Sequence, residues 1–305
     1  MVLLLALAFG TVSCREKELI ADDIDIPGLG GTEEVQNDLD KWLKKNFTDT
    51  YNIEVIYRFD AAQMYTTLAS KLTPVQLGQV QQMMAAIRDV WFEPYIKAAG
   101  DTFIKQMAPK KVVLVGSPEF SSGAIKLGQA EGGNKILLLN VNDFNASDAD
   151  KLKTALHTIL HEFGHILHQS KMFDKTYQDI SVGLYDPSGW KEFDRGQELY
   201  YQPQSWALGF ICNYAMNCKD DDFVDMLSMI LVYGKKWFDD TVCVAAKKST
   251  EVDDAYGDFQ QKLSIIEDYL KNSWNIQLFD GDGRLGLESY VQQAVDRVVE
   301  NPPKI

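Results

Sequence analysis

Positive charge, cysteine and long apolar runs are all scarce in this sequence. The 305 residues include 30 Lys and Arg against 44 Asp and Glu, which gives a formal charge of −14. Nucleic-acid binding needs a basic surface, so this balance argues against nucleic acid as a partner. The four cysteines form no Cys-x-x-Cys pair, so a thiolate zinc cluster is not expected. After the first residues, no segment has the roughly 20 apolar residues of a membrane-spanning helix.

Residues 1–14 resemble a bacterial lipoprotein signal. Val2–Phe9 is apolar, and Thr11-Val12-Ser13-Cys14 is a loose version of the lipobox, in which the cysteine carries the lipid. No Lys or Arg precedes the apolar run, and a buried N-terminal strand is the alternative. The polar stretch 15–31 suits a tether. We therefore expect attachment to the membrane through the lipid on Cys14 only, in the cell envelope, on the periplasmic or cell-surface side.

Hydrophobic periodicity predicts one α+β domain over residues 32–305. Strands are predicted at 53–59 and 111–116, with a hairpin formed by 124–129 and 135–141 around a turn at 131–134. Helices are predicted from Thr32, from Thr73 as N-cap to about Ala98, from Ser147 or Asp148, and at about 219–234, 235–247, 251–272 and 286–299. Residues 172–205 are irregular and are interpreted as loops over a cleft. Cys212 and Cys218 are close enough in sequence to be bridged, which sequence alone leaves open.

All four histidines lie in one stretch of the third predicted helix: His157, His161, His165 and His168. Their spacings of four, four and three place them near one side of the helix. Two imidazoles one turn apart can bind one Zn²⁺ at about 2.0–2.1 Å, so His161 and His165 are predicted ligands. Glu162 can then act as general base towards a water that the metal activates.

His157 and His168 are expected to line the cleft or to hydrogen-bond the ligands from outside. Either one as a third ligand would put three ligands on one continuous helix, which rarely allows a tetrahedron. A metzincin site would need a glycine and a histidine where this chain has His168 and Lys171, so that class is excluded.

The third ligand is expected to be a carboxylate on a later helix. Asp221 and Asp225 lie one helical turn apart, which suits Asp221 as the ligand and Asp225 as the acid that orients a ligand histidine. The alternatives are Asp220 and Asp222, which can also simply complement the helix dipole, and Glu192 and Glu198 on a poorly patterned segment.

Three segments carry a resemblance to a known family: His161–His165, Gly209–Ala215 and Asp221–Asp225. They resemble the gluzincins related to the anthrax lethal factor catalytic domain. The chain is more similar still to a family of zinc-binding metallopeptidases found as lipoproteins of Gram-negative bacteria. The similar motifs cover roughly residues 150–230. The family commonly has Glu where this chain has Asp221, which is one methylene shorter.

The resemblance implies a zincin-like metallopeptidase fold. A small mixed sheet with the active-site helix would form an N-terminal α/β lobe over about 32–170, and a C-terminal helical lobe would cover about 171–305. It also implies a role for Tyr214, seven residues before Asp221, as the donor that stabilises the oxyanion of the transition state.

The predicted function is hydrolysis of peptide or protein substrates with Zn²⁺ as cofactor. One alternative is a non-enzymatic surface lipoprotein that keeps zinc, or only the fold, to bind protein or glycan. Another is a zinc hydrolase that acts on a non-peptide amide.

Overall fold

The computed structural model of the chain describes residues 36–64, 71–121 and 124–303. The chain divides into an N-terminal unit, Met1–Asp38, and a second unit, Leu39–Ile305. The predicted signal with Cys14, the predicted tether and the predicted helix start at Thr32 lie outside the described residues. The two lobes of the domain stay a prediction.

The strands form a four-stranded mixed sheet and a separate two-stranded hairpin. In chain order they are β1 (Glu54–Ile56), β2 (Lys111–Leu114), β3 (Glu119–Ser121), β4 (Ala124–Lys126), β5 (Gly128–Glu131) and β6 (Lys135–Leu138). The sheet order is β1-β2-β6-β5, with β1, β2 and β6 parallel and β5 antiparallel to β6. The hairpin joins β3 and β4. Strand β5 is therefore an edge of the main sheet.

Most of the described residues outside the strands lie in helices. In chain order they are α1 (Asp38–Leu43), α2 (Asp49–Tyr51), α3 (Ala61–Met64), α4 (Leu77–Ile87), α5 (Glu93–Ala99), α6 (Asp101–Met107), α7 (Ala149–Ser170), α8 (Thr176–Ile180), α9 (Pro203–Ala207), α10 (Lys219–Trp237), α11 (Cys243–Ala246), α12 (Ala255–Trp274) and α13 (Leu287–Glu300). Short π-helical turns lie at Lys44–Thr48, Arg88–Phe92 and Phe238–Val242, and 3₁₀ turns at Val141–Asp143, Trp190–Glu192 and Tyr214–Met216. The predicted α+β class, with a small mixed sheet and many helices, is confirmed.

Successive side chains of a strand point to opposite faces of the sheet. The central strands carry consecutive apolar residues and are therefore apolar on both faces. The face that joins the main core carries Val112, Leu114, Ile136 and Leu138. The other face carries Val113, Val115, Leu137 and Leu139, which pack with Met64 and Leu72. Residues 137–139 are therefore buried on both faces of the sheet.

Two predictions of element boundaries are wrong: the helix start at Thr73 and the first arm of the hairpin. Helix α4 begins at Leu77, not at a cap on Thr73, because the carbonyl of Thr73 accepts from the Gly116 N–H and that of Pro74 accepts from Asn142. These tertiary hydrogen bonds hold residues 73–76 outside the helix. The first arm of the predicted hairpin is split: β5 pairs with β6 as expected, but β4 pairs with β3.

Helix α7 begins where one of the two candidate caps stands. The Asp148 carboxylate accepts from the backbone N–H groups of Asp150 and Lys151, which satisfies donors that the first turn leaves free. Helix α10 covers the helix predicted at 219–234 and extends to Trp237, into the helix predicted at 235–247. The helix is broken at Gly234, whose φ of 86° lies in the left-handed region.

Three of the cysteines are described, and all are free thiols. Cys212 and Cys243 are buried and Cys218 is half-buried, so the bridge between Cys212 and Cys218 is not formed. None of the helices in the described part of the chain combines the length and hydropathy that a membrane crossing requires.

A buried ion pair connects α10 with α12. Lys262 Nζ lies 2.7 Å from Asp222 Oδ2, and both side chains are buried. The ammonium also donates to the Gly209 carbonyl at 2.8 Å, and Tyr185 donates to Asp222 at 3.1 Å. Asp222, which the sequence offered as an alternative ligand or as part of an acidic helix start, is instead a tertiary contact.

We predict that Lys262→Met lowers the free energy of unfolding by about 3–5 kcal/mol, because it leaves Asp222 buried without its counter-ion. Urea denaturation followed by circular dichroism measures the change. Lys271→Met, an exposed lysine on the same helix, is the control and should change stability by less than about 0.5 kcal/mol. Equal losses in the two variants would contradict this role of the ion pair.

Candidate metal centre

Three side-chain donors from α7 and α10 converge on one point. His165 Nε2 lies 3.1 Å from His161 Nε2 and 3.1 Å from Asp221 Oδ1. His161 Nε2 lies 3.6 Å from the same carboxylate oxygen. His161 and Asp221 are buried and His165 is half-buried. Two residues of one helix and one of its neighbour therefore form a compact donor triangle.

The size of this triangle fits a tetrahedral zinc ion. Ligand atoms at about 2.0–2.1 Å from a tetrahedral Zn²⁺ lie about 3.3–3.4 Å from one another. The three observed separations of 3.1, 3.1 and 3.6 Å bracket that value. Two imidazoles and one carboxylate are also a donor set found in catalytic zinc sites. His161, His165 and Asp221 are therefore the residues that fit a metal ion.

Glu162 is the next residue after the first of these histidines and faces the edge of the sheet. Its Oε2 accepts from the Ala130 N–H of β5 at 2.6 Å. Gly128 of the same strand is close as well: a Cβ on this residue would lie 3.3 Å from Glu162 Oε1 and 2.5 Å from Thr158 Cγ2. The strand edge therefore fixes the carboxylate from one side. Sequence reasoning did not find Ala130, because this contact joins segments 32 residues apart.

Asp225 supports His161 from the side away from the donor triangle. Its Oδ1 lies 2.7 Å from His161 Nδ1 and 3.1 Å from His157 Nε2, while Oδ2 accepts from the Cys212 thiol at 3.2 Å. Burial would raise the pKa of this carboxyl, but the two histidines hold it well below its usual range. Burial disfavours the charged His161 ring, yet Asp225 more than offsets this and raises the pKa of His161 to about 9.

His168 occupies the corresponding place beside His165. His165 Nδ1 lies 2.9 Å from His168 Nε2. If His165 offers Nε2 to a metal, its proton sits on Nδ1 and is donated to His168. Burial, with a smaller effect of His165, lowers the pKa of His168, so the ring is neutral and can accept. His168 thus contacts the predicted ligand His165, and His157 contacts Asp225, while neither joins the donor triangle.

Asp221 is also held from outside, by two residues that sequence reasoning missed. Asn217 Nδ2 donates to Asp221 Oδ2 at 2.6 Å, and the Cys218 thiol donates to the same oxygen at 3.2 Å. Burial raises the pKa of the Cys218 thiol to about 11, so it stays a donor at neutral pH. Asn217 and Cys218 lie four and three residues before Asp221, and this spacing is the signal from which the sequence could have predicted the contacts.

Close packing of α7 against α10 allows an aspartate to reach the histidines. Gly164 lies between the two predicted ligands, His161 and His165, and faces α10. A Cβ there would lie 2.8 Å from Val224 Cγ1 and 2.9 Å from Val224 Cβ, closer than real contacts allow. The glycine therefore lets the helices approach, which compensates for the shorter side chain of Asp221.

Tyr214 lies at the exposed side of the centre. Its ring centroid is 5.6 Å from that of His161 and 4.9 Å from that of Trp190, and the side chain is 37% exposed. Burial and the neighbouring carboxylates, Asp221 first, raise the pKa of its phenol above the ordinary value, so the hydroxyl keeps its proton. Trp190 comes from the irregular stretch predicted to cover a cleft.

The remaining candidates are not brought into the donor triangle. Glu192 is exposed and pairs with Arg195 at 3.0 Å, and Glu198 is exposed. Neither belongs to a group of donors that could hold a metal within the described residues, and the same holds for Asp220. Asp222 is engaged by Lys262.

A second cluster, His157, His161 and Asp225, also has metal-type donors close together. It uses Nδ1 of His161, whereas the donor triangle uses Nε2. Asp225 is fully buried, and its contacts of 2.7 and 3.1 Å with the histidines are ordinary hydrogen bonds. We therefore interpret this cluster as support for the donor triangle.

The fold and the donor set together define an α+β protein with a site that fits a metal ion. A model of the family described as "Putative zinc-binding metallo-peptidase" matches residues 32–279, and the chain belongs to this family. The predicted Zn²⁺ is therefore confirmed as the metal of the family.

A solved structure agrees with this assignment. The chain is similar to a crystal structure described as a putative zinc-binding metallo-peptidase from Bacteroides caccae, with 25% sequence identity and a TM-score of 0.65. The match covers 86% of this chain and 93% of the other. No curated protein matches the chain.

We predict that Gly164→Ala weakens zinc binding by about 10- to 100-fold, the range seen when support of a ligand is lost. The added methyl group would push α10, and with it Asp221, away from α7. Competition with a chromophoric chelator measures the affinity. Val224→Ala in the same chain removes one of the two clashing carbons and should restore part of it.

Gly78→Ala is the control for this substitution, because Gly78 lies in α4 with open space around its Cα. It should leave zinc affinity unchanged and stabilise the helix by about 0.5–1 kcal/mol. Wild-type zinc affinity in Gly164→Ala would show that the close helix contact is not needed.

Proposed function

We propose that the protein is a zinc-dependent peptidase that hydrolyses peptide bonds in peptides or proteins. The observation that carries this proposal is the position of Glu162, which lies beside the donor triangle of His161, His165 and Asp221. When bound there, Zn²⁺ supplies a Lewis acid that lowers the pKa of water to about 7 and polarises a carbonyl group. The family description supports the same activity.

Glu162 acts as general base and then as general acid. It takes a proton from the attacking water and passes it to the departing amine. The hydrogen bond from Ala130 to Oε2 holds the carboxylate in place without adding a charge. Asp225 and His168 contribute by fixing the rings of the two ligand histidines, since a fixed ring loses less entropy on binding a metal, and His157 contributes by holding Asp225.

Tyr214 stabilises the oxyanion that forms on the substrate carbonyl. Its hydroxyl keeps its proton, and its ring lies against His161 on the exposed side of the centre. A neutral donor aimed at developing negative charge is worth about 2.7–4 kcal/mol in other hydrolases. Trp190 packs against the tyrosine ring and limits its movement.

The substrate binds in extended form along the edge of β5. The Leu139 N–H donates to the Leu127 carbonyl at 2.9 Å, so by alternation the polar groups of Gly128 and Ala130 point away from β6. The Ala130 N–H is taken by Glu162, so a peptide can pair as an added strand with the Gly128 groups of this edge. A cavity of about 160 Å³ lies next to Thr158, with an apolar lining that includes Leu127 and Ala155, and it suits an aliphatic side chain of the substrate.

The finer classification belongs to the same proposal. The fold is zincin-like and the site is of the gluzincin type, related to the anthrax lethal factor catalytic domain, because the third donor is a carboxylate from a helix after the histidine helix. The mature protein is a lipoprotein of the bacterial cell envelope, attached through Cys14. Mass spectrometry of the mature N-terminus tests this attachment.

We predict that Glu162→Gln abolishes peptide hydrolysis, with a loss of at least about 10²–10⁴-fold, and retains zinc. The amide keeps the shape of the side chain but cannot take the proton. Cleavage of a peptide library is followed by mass spectrometry, and zinc by atomic emission. Glu198→Gln, an exposed glutamate outside the site, should retain both. Proteolysis by Glu162→Gln would rule out this mechanism.

The same library separates the alternatives. Wild-type protein that holds zinc and cleaves no peptide would favour a non-enzymatic zinc lipoprotein. Turnover of small non-peptide amides alone would favour an amide hydrolase. Cleavage next to aliphatic residues is expected if the cavity beside Thr158 takes a side chain.

We predict that Asp221→Ala loses most of its bound zinc, because one of three donors is removed. The neighbouring Asp220→Ala should keep it, since Asp220 joins neither donor group in the described structure. Metal content of the two variants and of wild type, purified side by side, tests the assignment. Equal zinc in all three would assign the third ligand elsewhere.

A further inference from the structure

The two oxygens of Asp221 have different surroundings. Oδ1 faces the two histidines, at 3.1 Å from His165 Nε2 and 3.6 Å from His161 Nε2. Oδ2 faces away from them and accepts from Asn217 Nδ2 at 2.6 Å and from Cys218 Sγ at 3.2 Å. The carboxylate is therefore divided between a metal-facing oxygen and an oxygen engaged by two neutral donors.

This division favours binding through one oxygen only. An oxygen that already accepts two hydrogen bonds is a poorer ligand, and rotating it towards a metal would break both of them. A carboxylate that bound through both oxygens would take up a second coordination position. A catalytic zinc needs that position for water or substrate. The two donors thus keep Asp221 in the form that leaves room for the reaction.

The start of α10 has no side-chain cap, and the side chains that could form one contact Asp221 instead. Cys218 is the N-cap residue, with extended φ and ψ of −163° and 169°, and makes no side-chain hydrogen bond to the helix. Asn217, of a residue type that caps helices well, lies one position earlier. Both side chains point to Asp221 instead of the free N–H groups of the first turn. A side-chain cap would stabilise the start of the helix, so these two side chains serve the contact with Asp221 at the expense of that stabilisation.

We propose that Asn217 is a positioning residue that, with Cys218 as the weaker partner, holds Asp221 as a ligand through Oδ1 alone. The proposal rests on the proposed function, in which Asp221 binds zinc. Asn217 acts through the carboxylate and has no contact of its own with the metal or the substrate.

The test compares Asn217→Leu, which keeps the approximate shape without the donor, with wild type. Zinc affinity, from competition with a chromophoric chelator, should fall about 10- to 100-fold, as it does when support of a ligand is removed. The Co²⁺-substituted protein should lose intensity in its visible bands, because a second bound oxygen raises the coordination number. Cys218→Ala should show a smaller effect, and Cys218→Ser, which keeps a donor, should restore wild-type behaviour.

Asn213→Leu is the matched control. Its amide lies in the same loop and donates to the Phe193 carbonyl at 3.0 Å, away from the donor triangle. It should leave zinc affinity and the Co²⁺ spectrum unchanged even if urea denaturation shows a loss of stability, which separates positioning from loop stability. A wild-type spectrum and affinity in Asn217→Leu would overturn the proposal.

The outcomes also separate this proposal from the proposed function. If Asp221→Ala loses zinc and Asn217→Leu does not, only the positioning role fails. If Asp221→Ala binds zinc as wild type does, the ligand assignment itself fails.

Discussion

The contact between Gly164 and Val224 is the constraint on which the metal centre depends. Two of the three donors lie on α7 and the third lies on α10, so the distance between these helices sets the size of the donor triangle. A glycine at the contact removes the side chain that would hold them apart. The short side chain of Asp221 therefore reaches the histidines only because the residue between them is small.

Buried charges at the start of α10 determine how this helix packs. Within five residues it carries three buried aspartates, Asp221, Asp222 and Asp225. Each would cost several kcal/mol if it were left without partners. Each has partners outside α10: the loop before the helix and α7 for Asp221, α12 for Asp222, and α7 with the Cys212 loop for Asp225. These requirements fix the rotation of α10 about its axis as well as its distance from α7.

Sequence could predict what depends on local spacing. The histidines one turn apart on α7 and the acids one turn apart on α10 follow from helical periodicity, and the fold class follows from the alternation of strands and helices. The contacts of Ala130 and Lys262 join distant segments, and no local pattern marks them. The early helix start predicted at Thr73 failed for the same reason, since Gly116 and Asn142 compete for its backbone.

Because α7 contacts α10 directly, the sequence between these helices can change in evolution without altering the donor triangle. The chain between these helices supplies Trp190 and Tyr214 at the mouth of the centre, but none of the three donors. Insertions or exchanges in the first part of this stretch can therefore reshape what the molecule recognises while the metal centre stays intact. Only its last residues, Asn217 and Cys218, are tied to Asp221. Diversity among relatives is expected at the exposed positions of this stretch, and not at Tyr185, Gly209 and Cys212, which contact the buried aspartates or their partner Lys262.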